Sequence, residues 1–343
     1  MSCIKIFSDK INHVDFFVNQ NNVFFKEGNS IIKIDESLNR IIFFTKDNPF
    51  IIESITDEVI CIRDKVSLSY VELSSGQLSK IVPLHFQNAI QVKYQDENFI
   101  VLRNQVDEND WRIFCIDTLG EVVWDAKDEG LFFCKGNEKR NLVCLFLEAK
   151  EIVMKQINNG SLVWEINVNK LLNSEPVYLN TELIDANSKL YFIANGVDLG
   201  GLFCLDINSG NILREYPKVS SFLVKDENFI YSSLYENIVC KINPITDEIE
   251  KWEVNDLIKE NGFDNLHDNR CKAHKGLVYF TQTLGDNKSK LGVLDTNKKE
   301  LVYKYEFEAK NGGIGNIQVS ESRIFITTQD NTLHIFKNDE EKI

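Results

Sequence analysis

The feature that most constrains the fold of this chain is a hairpin pattern that recurs along its length. Residues 202–215 read LFCLDINSGNILRE: an apolar run, Asp206, a polar turn that ends at Gly210, and a second apolar run. Apolar runs that flank an Asp/Asn/Ser/Gly turn predict a β-hairpin. Asp and Asn side chains bond to nearby backbone amides, and glycine accepts the positive φ that closes such a turn.

Seven other stretches follow the same pattern. They are IIKIDESLNRIIFF from Ile31, SYVELSSGQLSKI from Ser69, IFCIDTLGEVVW from Ile113, IVMKQINNGSLVWEI from Ile152, IVCKINPITDEIEKW from Ile238, LGVLDTNKKELVYKY from Leu291 and TLHIFKNDEEKI from Thr332. Successive turns lie about 37 to 52 residues apart, and two further strand-like runs (A and B) precede the hairpin strands (C and D). A period of about 40 residues with four strands per unit is typical of β-propeller blades.

The repeats therefore predict an all-β fold, a single β-propeller of four-stranded antiparallel blades. We expect eight blades; seven is the alternative if the copies at 31–44 and 69–82 share one. The last copy supplies three strands, and the segment CIKIF (Cys3–Phe7) is a spare strand. We expect this N-terminal strand (residues 1–8) to complete the last blade, which removes open sheet edges. Residues 9–337 then form the blades, and 338–343 a charged tail, within one domain spanning 1–343.

The repeat resembles the PQQ-like (quinoprotein-type) motif, apolar-Tyr-Ala-Leu-Asp-x-x-Thr-Gly-x-x-x-Trp. The matching residues are Asp117, Gly120, Trp124, Gly160, Trp164, Asp206 and Gly210. Trp252 follows the sixth turn, from which the glycine is missing. The resemblance implies a propeller in which Trp124, Trp164 and Trp252 dock one blade against another. It does not imply the quinone cofactor.

Cysteine usage and the N-terminus indicate a cytoplasmic protein. The eight cysteines are scattered singly without a CxxC pair, as expected of reduced, mostly buried thiols. Cys115, Cys204 and Cys240 are expected at one equivalent position of strand C, where a small side chain fits a packed blade. The N-terminus has no apolar signal segment, and no lipobox-like stretch precedes Cys3. Some exported lipoproteins are propellers with a similar repeat. The missing lipobox argues against such a role for this chain.

No motif of catalytic chemistry is present. The sequence has no GxSxG elbow, P-loop, HExxH, or GxGxxG after a strand. HDNRCKAH (residues 267–274) contains two zinc-ligand types, but a closed zinc site needs four ligands, and strand alternation would separate Cys271 from His274. We therefore predict a non-enzymatic chain with no cofactor and no metal.

Charge and long loops indicate a binding surface. The chain has 38 basic and 52 acidic residues, a net charge of −14, which disfavours nucleic acid and suits a basic protein partner. No apolar run is long enough to cross a membrane. Long acidic loops are expected on the rim formed by D–A and B–C connections. The predicted interface residues, with Trp111 and Phe263 as anchors, are Asp107, Glu108, Asp110, Trp111, Asp128, Glu129, Phe263, Asp264, His267 and Asp268.

These observations predict a non-catalytic, protein-binding propeller with an acidic loop face. Its role would be that of a bacterial immunity or inhibitor protein that neutralises a basic toxin, or of an assembly scaffold. The alternative is a propeller enzyme, such as a lyase, a hydrolase or a quinoprotein-like protein, with a funnel site on the axis. The oligomeric state is left open.

Overall fold

Each predicted repeat is a four-stranded antiparallel sheet in the computed structural model. The structure describes residues 3–11, 16–86, 90–108, 110–137, 139–175, 177–234, 237–266, 270–283 and 288–338. Its 32 strands form eight sheets, so the prediction of eight blades is confirmed and the seven-bladed alternative is wrong. The fold is an eight-bladed β-propeller.

The strands of the first four blades, in chain order, are β2 (Phe17–Asn19), β3 (Asn22–Glu27), β4 (Ser30–Ile34) and β5 (Arg40–Thr45); β6 (Ile51–Ile55), β7 (Val59–Arg63), β8 (Ser67–Glu72) and β9 (Leu78–Pro83); β10 (Ile90–Gln95), β11 (Phe99–Asp107), β12 (Asp110–Asp117) and β13 (Val122–Lys127); and β14 (Leu131–Gly136), β15 (Asn141–Phe146), β16 (Glu151–Gln156) and β17 (Leu162–Asn167). Within each of these sheets, the strands pair in sequence order.

The strands of the last four blades are β18 (Tyr178–Ala186), β19 (Lys189–Asn195), β20 (Gly200–Asp206) and β21 (Ile212–Pro217); β22 (Val219–Lys225), β23 (Ile230–Leu234), β24 (Ile238–Ile242) and β25 (Ile249–Glu253); β26 (Lys272–His274), β27 (Leu277–Thr283), β28 (Ser289–Asp295) and β29 (Glu300–Glu306); and β30 (Ile314–Val319), β31 (Arg323–Thr328), β32 (Thr332–Asn338) and β1 (Cys3–Lys10). The helices are α1 (Val168–Leu172), α2 (Asn255–Glu260) and a 3₁₀ turn (Ala309–Asn311).

The N-terminal strand completes blade 8, as predicted. β1 pairs antiparallel with β32, and the order of the last sheet is β1-β32-β31-β30. The pairing runs from Cys3, opposite Asn338, to Lys10, opposite Thr332, so both strands are slightly longer than the sequence indicated. Because β1 covers the backbone groups of β32, the C-terminal strand is not an open edge.

The described residues fall into two compact units. The first comprises residues 1–60, 72–77 and 219–343 and contains blades 1, 6, 7 and 8; the second comprises residues 61–71 and 78–218 and contains blades 3, 4 and 5. Each unit has its own apolar core clusters between successive blades. That the chain is one domain stays a prediction.

The hairpin turn of blade 5 has the predicted chemistry. A carboxylate oxygen of Asp206 accepts hydrogen bonds from the backbone N–H groups of Asn208 (3.0 Å) and Ser209 (2.8 Å). These bonds lower the pKa of Asp206 below its usual value. Gly210 closes the turn with a φ of +73°, and its N–H donates to the Asp206 carbonyl oxygen (2.9 Å).

Two of the three motif tryptophans dock successive blades, as the resemblance implies. The Trp124 indole N–H donates to the Ile157 carbonyl oxygen of the next blade (2.6 Å), and the Trp164 indole N–H donates to the Ile207 carbonyl oxygen (3.1 Å). The glycine of the next turn lies directly beneath each indole: a Cβ on Gly160 would lie 2.9 Å from Trp124. The glycine is therefore required by both the positive φ and the close approach of the indole.

Trp252 does not occupy this docking position. Trp164 pairs with Met154, two residues before the turn residue Gln156. Trp252 pairs with Val239, four residues before the corresponding turn residue of blade 6. It therefore lies two residues further along the strand, where it packs against the core between blades 6 and 7.

The cysteines follow the sequence prediction in burial but only partly in position. Cys115, Cys204 and Cys240 are all completely buried. Cys115 and Cys204 each precede the turn Asp by two residues, whereas Cys240 precedes its turn residue, Asn243, by three, so the predicted equivalence of all three is wrong.

The structure also brings together two cysteines that lie 10 residues apart in the sequence. Cys134 and Cys144 lie opposite each other on β14 and β15, with their sulfur atoms 3.3 Å apart. Both are buried free thiols, and this burial beside each other raises the pKa of Cys134.

The long segment between blades 6 and 7 contains a short helix. α2 spans Asn255–Glu260, and its Ile258 side chain is completely buried. Among the described residues, no helix combines the length and apolar character needed to cross a bilayer.

Candidate functional site

The B–C hairpins and D–A connections of blades 3 to 5 meet along one rim of the second unit. We call this surface the loop face, and it comprises residues 107, 108 and 110, residues 128–130, residues 148–150, residues 168–175, residue 178 and residues 195–199. The backbone N–H of Asp128 donates to the Trp111 carbonyl oxygen (3.1 Å), and that of Leu147 donates to the Gly130 carbonyl oxygen (3.1 Å). These bonds connect the blade 3 hairpin to the blade 4 hairpin through the D–A loop.

The same chain of contacts continues to blade 5. The Val168 N–H at the start of α1 donates to the Lys150 carbonyl oxygen (2.8 Å), and the Val197 N–H donates to the Ser174 hydroxyl (3.0 Å). The Asn167 side chain caps α1 by accepting from the Lys170 N–H. The loop face is therefore held by backbone hydrogen bonds rather than formed by independent loops.

Two predicted interface residues on this face are structural. The Asp128 side chain is only 1% exposed; it forms an ion pair with Arg103 and accepts a hydrogen bond from the Leu131 N–H (2.7 Å). The Arg103 guanidinium lies 4.9 Å from the centre of the Trp111 ring, a cation–π contact. Asp128 is thus unavailable to a partner, and Trp111 is a half-buried support of the hairpin.

The remaining predicted acidic residues of blade 3 are exposed. Asp107, Glu108, Asp110 and Glu129 all face solvent. The structure adds further exposed carboxylates along the same face, on Glu148, Glu175 and Asp198. Among the described residues, none of these seven forms an ion pair. They lie near two lysines, Lys150 and Lys170, so the loop face is strongly acidic.

The predicted residues of the long segment belong to the first unit. Phe263 was expected to be an exposed anchor, but it is 1% exposed and lies in the core, with its ring centre 4.8 Å from that of Phe280. Asp264 is exposed, and its carboxylate accepts a hydrogen bond from the Gln282 amide (2.9 Å). His267 and Asp268 lie outside the described residues.

Sequence reasoning missed the apolar part of the loop face. Tyr178, Val197 and Leu199 are 79%, 70% and 57% exposed. Tyr178 begins β18 and pairs with Asn195, directly beside the hairpin that carries Val197 and Leu199; the Gly196 N–H closes that hairpin on the Leu199 carbonyl oxygen (2.7 Å). The pairing of β18 with β19 brings these three residues to the same edge of the loop face, which the sequence pattern alone does not show.

The first unit contains a separate cavity of about 420 Å³. It is lined by Phe16, Phe17, Lys26, Ile51, Ile52, Asn316 and Gln318. Lys26 is the single titratable group among these lining residues. Within the part of the chain that the structure describes, no group of three or more His, Cys, Asp or Glu side chains is arranged to hold a metal ion. Cys271 is instead buried in the core, and His274 lies 3.7 Å from Glu321.

The fold resembles those of solved propellers. BamB from Moraxella catarrhalis superposes with a TM-score of 0.64 over 98% of this chain and 100% of that chain, at 12% sequence identity. The computationally designed Ika8 protein superposes with a TM-score of 0.61 over 94% of this chain and 95% of that chain, at 14% identity. No protein-family model and no curated protein sequence matches the chain. At these identities, the similarity establishes the fold alone.

Proposed function

We propose that this chain is a non-catalytic protein-binding propeller that engages its partner through the loop face. The observation that carries the proposal is the exposure of Tyr178, Val197 and Leu199 on a face that also carries seven exposed carboxylates without ion-pair partners among the described residues. Exposed aromatic and aliphatic side chains within a polar rim are the usual centre of a protein interface. The backbone hydrogen bonds along the face hold this surface in place before binding, which reduces the entropy cost of association.

The partner proposed here is a basic protein. The loop face carries seven exposed carboxylates without ion-pair partners among the described residues, and the whole chain has a net charge of −14. A positively charged partner would be steered to this face, and the rate of association would fall as salt rises. The apolar patch would then supply the binding energy that salt does not screen.

Two narrower roles are compatible with this chemistry. The chain acts as a bacterial immunity or inhibitor protein that covers the basic substrate site of a toxin, or as an assembly scaffold. The proposal assigns the protein to the cytoplasm, in keeping with its eight free thiols. We also propose that the chain is a divergent member of the PQQ-like repeat propellers, supported by the Trp–Gly docking of blades 3 to 5.

The test is a pull-down from native lysate with matched surface variants. We expect the wild-type chain to retain one stoichiometric partner at low salt and less of it at high salt. The double variant Tyr178→Ala/Leu199→Ser should lose that partner at both salt concentrations. Ile245→Ser is the control, because Ile245 is 73% exposed at the blade 6 turn and is not a residue of the loop face. It should capture the partner as the wild type does.

Variants that remove charge from the loop face distinguish an effect on the association rate from an effect on the dissociation rate. Glu108→Gln/Asp110→Asn should slow association at low salt and leave dissociation nearly unchanged, because rim charges act mainly on the rate of encounter. Absence of a partner at either salt, or equal capture by the Tyr178→Ala/Leu199→Ser variant, would contradict the proposal.

A further inference from the structure

A second site is formed by the cavity of the first unit, which is remote in sequence from the loop face. The cavity lies where the first strands of blades 8, 1 and 2 begin, at β30, β2 and β6. Its volume of about 420 Å³ is within the range of small-molecule sites, ~300–1,000 Å³. Four of its seven lining residues are apolar: Phe16, Phe17, Ile51 and Ile52.

The cavity wall is fixed by one amide. The Gln318 side chain donates to the Phe16 carbonyl oxygen (2.6 Å) and accepts from the Val18 N–H (3.0 Å). These two bonds join β30 to β2 at the cavity wall, so the wall does not depend on a ligand for its shape. Phe16 is 1% exposed behind this wall, whereas Ile51 is 44% exposed and marks the open side.

One of the residues that line the cavity, Lys26, carries a positive charge that the described residues do not neutralise. Lys26 is half-buried, and its ammonium lies 5.7 Å from the centre of the Phe50 ring. Among the described residues, no carboxylate lies within ion-pair distance of it. A half-buried ammonium beside apolar walls is best stabilised by an anionic group that enters with an apolar body.

A neutral polar group accompanies this cation. The side-chain amide of Asn316 lines the same cavity and has no hydrogen-bond partner among the described residues. One ammonium and one free amide match a single carboxylate, whose two oxygens need donors. The apolar walls match an alkyl chain, since burying each CH₂ group is favourable.

We propose that this cavity binds an aliphatic monocarboxylate, with its carboxylate at Lys26 and its chain against Phe16, Phe17, Ile51 and Ile52. None of the cavity residues belongs to the loop face, so this proposal does not depend on the proposed function. We expect the cavity to prefer a carboxylate to an alcohol of the same length. The alcohol would contact the same apolar walls but would leave the Lys26 ammonium without a charged partner.

The test is calorimetric titration of the full-length chain with octanoate and with 1-octanol. We expect saturable binding of one octanoate per chain, with 1-octanol weaker by about tenfold or more, because a hydrogen bond to a charged group contributes more than one to a neutral group. Lys26→Met should weaken octanoate binding by a similar factor and leave 1-octanol binding nearly unchanged.

A matched control is available in the same blade. Lys33 is also half-buried, and its ammonium lies 5.8 Å from the Phe24 ring, but it does not line the cavity. Lys33→Met should therefore bind octanoate as the wild type does. Ile51→Glu places a carboxylate at the open side of the cavity and should abolish octanoate binding without lowering the melting temperature, because Ile51 is exposed.

The proposal is overturned by any of three results. The first is that the wild type shows no saturable binding of octanoate. The second is that the wild type binds octanoate and 1-octanol with equal affinity. The third is that octanoate binding is unchanged by both Lys26→Met and Ile51→Glu.

Discussion

Blades 4 and 5 are joined differently from blades 6 and 7, and the difference follows the repeat motif. Between blades 4 and 5, Trp164 is 8% exposed, donates to Ile207 and covers Gly210. At the joint between blades 6 and 7, Trp252 lies two residues further along its strand, and the turn of blade 7 has Lys299, with a φ of +58°, in the place of the glycine. Among the described residues, the contact between a tryptophan and a turn glycine is therefore absent from the second joint.

The joint between blades 6 and 7 is instead filled by the long connecting segment. Its side chains Val254, Ile258, Phe263 and Leu266 are each at most 1% exposed and pack together with Trp252. Where the repeat loses its motif, the chain adds residues that supply the missing core. A long loop in this fold is thus a packing element, and its length alone does not identify a binding site.

The largest expected effect tests the motif joint. Trp164→Ala removes a buried indole and leaves the Ile207 carbonyl without its donor, so we expect a loss of about 3–5 kcal/mol of unfolding free energy. Trp252→Ala, at a half-buried position without this hydrogen bond, should cost about 1–2 kcal/mol. Urea denaturation of both variants measures the difference. Equal losses would show that the two joints do not differ in this way.

The second prediction tests the filled joint. Phe263→Ala should lower the unfolding free energy by about 3–4 kcal/mol, because Phe263 is 1% exposed and stacks near Phe280. Asp264→Ala, at the exposed neighbouring position, should cost less than about 1 kcal/mol. If Phe263→Ala left stability unchanged and weakened partner capture, the original interpretation of Phe263 as an interface anchor would be restored.

The third prediction concerns His334, a buried polar residue on β32, the strand that pairs with the N-terminal strand β1. His334 is 1% exposed, between the hydroxyls of Ser8 (3.3 Å) and Thr328 (3.1 Å). Burial, together with the nearby Lys5, lowers its pKa from 6.5 to about 4. The unfolded chain therefore binds this proton first as pH falls, and stability is lost between about pH 6.5 and pH 4, by about 3 kcal/mol in total.

The check is urea denaturation at several pH values. His334→Gln should be less stable than the wild type at pH 7 but should lack this part of the pH dependence. An unchanged slope between pH 6.5 and pH 4 in the variant would show that His334 does not cause the dependence. The lowered pKa of Asp330 affects stability only below about pH 4.

The smallest expected effect separates backbone strain from crowding at the turns. Gly210→Ala introduces a Cβ at a φ of +73°, only 2.8 Å from the Trp164 ring, and should cost about 2–3 kcal/mol. Gly28→Ala has a similar φ of +57° but meets nothing within 4 Å, so strain alone should cost about 1 kcal/mol. Melting temperatures of the pair should rank accordingly. Equal shifts in melting temperature would mean that the Trp164 ring moves to accommodate the new Cβ without loss of stability.

The local pattern of this sequence determined the strands, the turns and the number of blades. Alternating apolar runs around residues such as Asp206 and Gly210 specify hairpins through interactions between near neighbours, and their recurrence specifies the propeller. The spare strand at Cys3–Phe7 was predictable by counting, because the last repeat lacked one strand. The exposed carboxylates of the blade 3 hairpin were predictable because turns in this fold lie on a rim.

Tertiary structure alone decided which loop residues are buried and which apolar side chains are exposed. Phe263 and Asp128 lie in loops that sequence patterns assign to the surface, yet one fills a core and the other is held by Arg103. The patch of Tyr178 with Val197 and Leu199 exists because β18 pairs with β19 in one register. Burial and side-chain proximity depend on contacts between segments distant in sequence, and a periodic pattern fixes the strands without fixing those contacts.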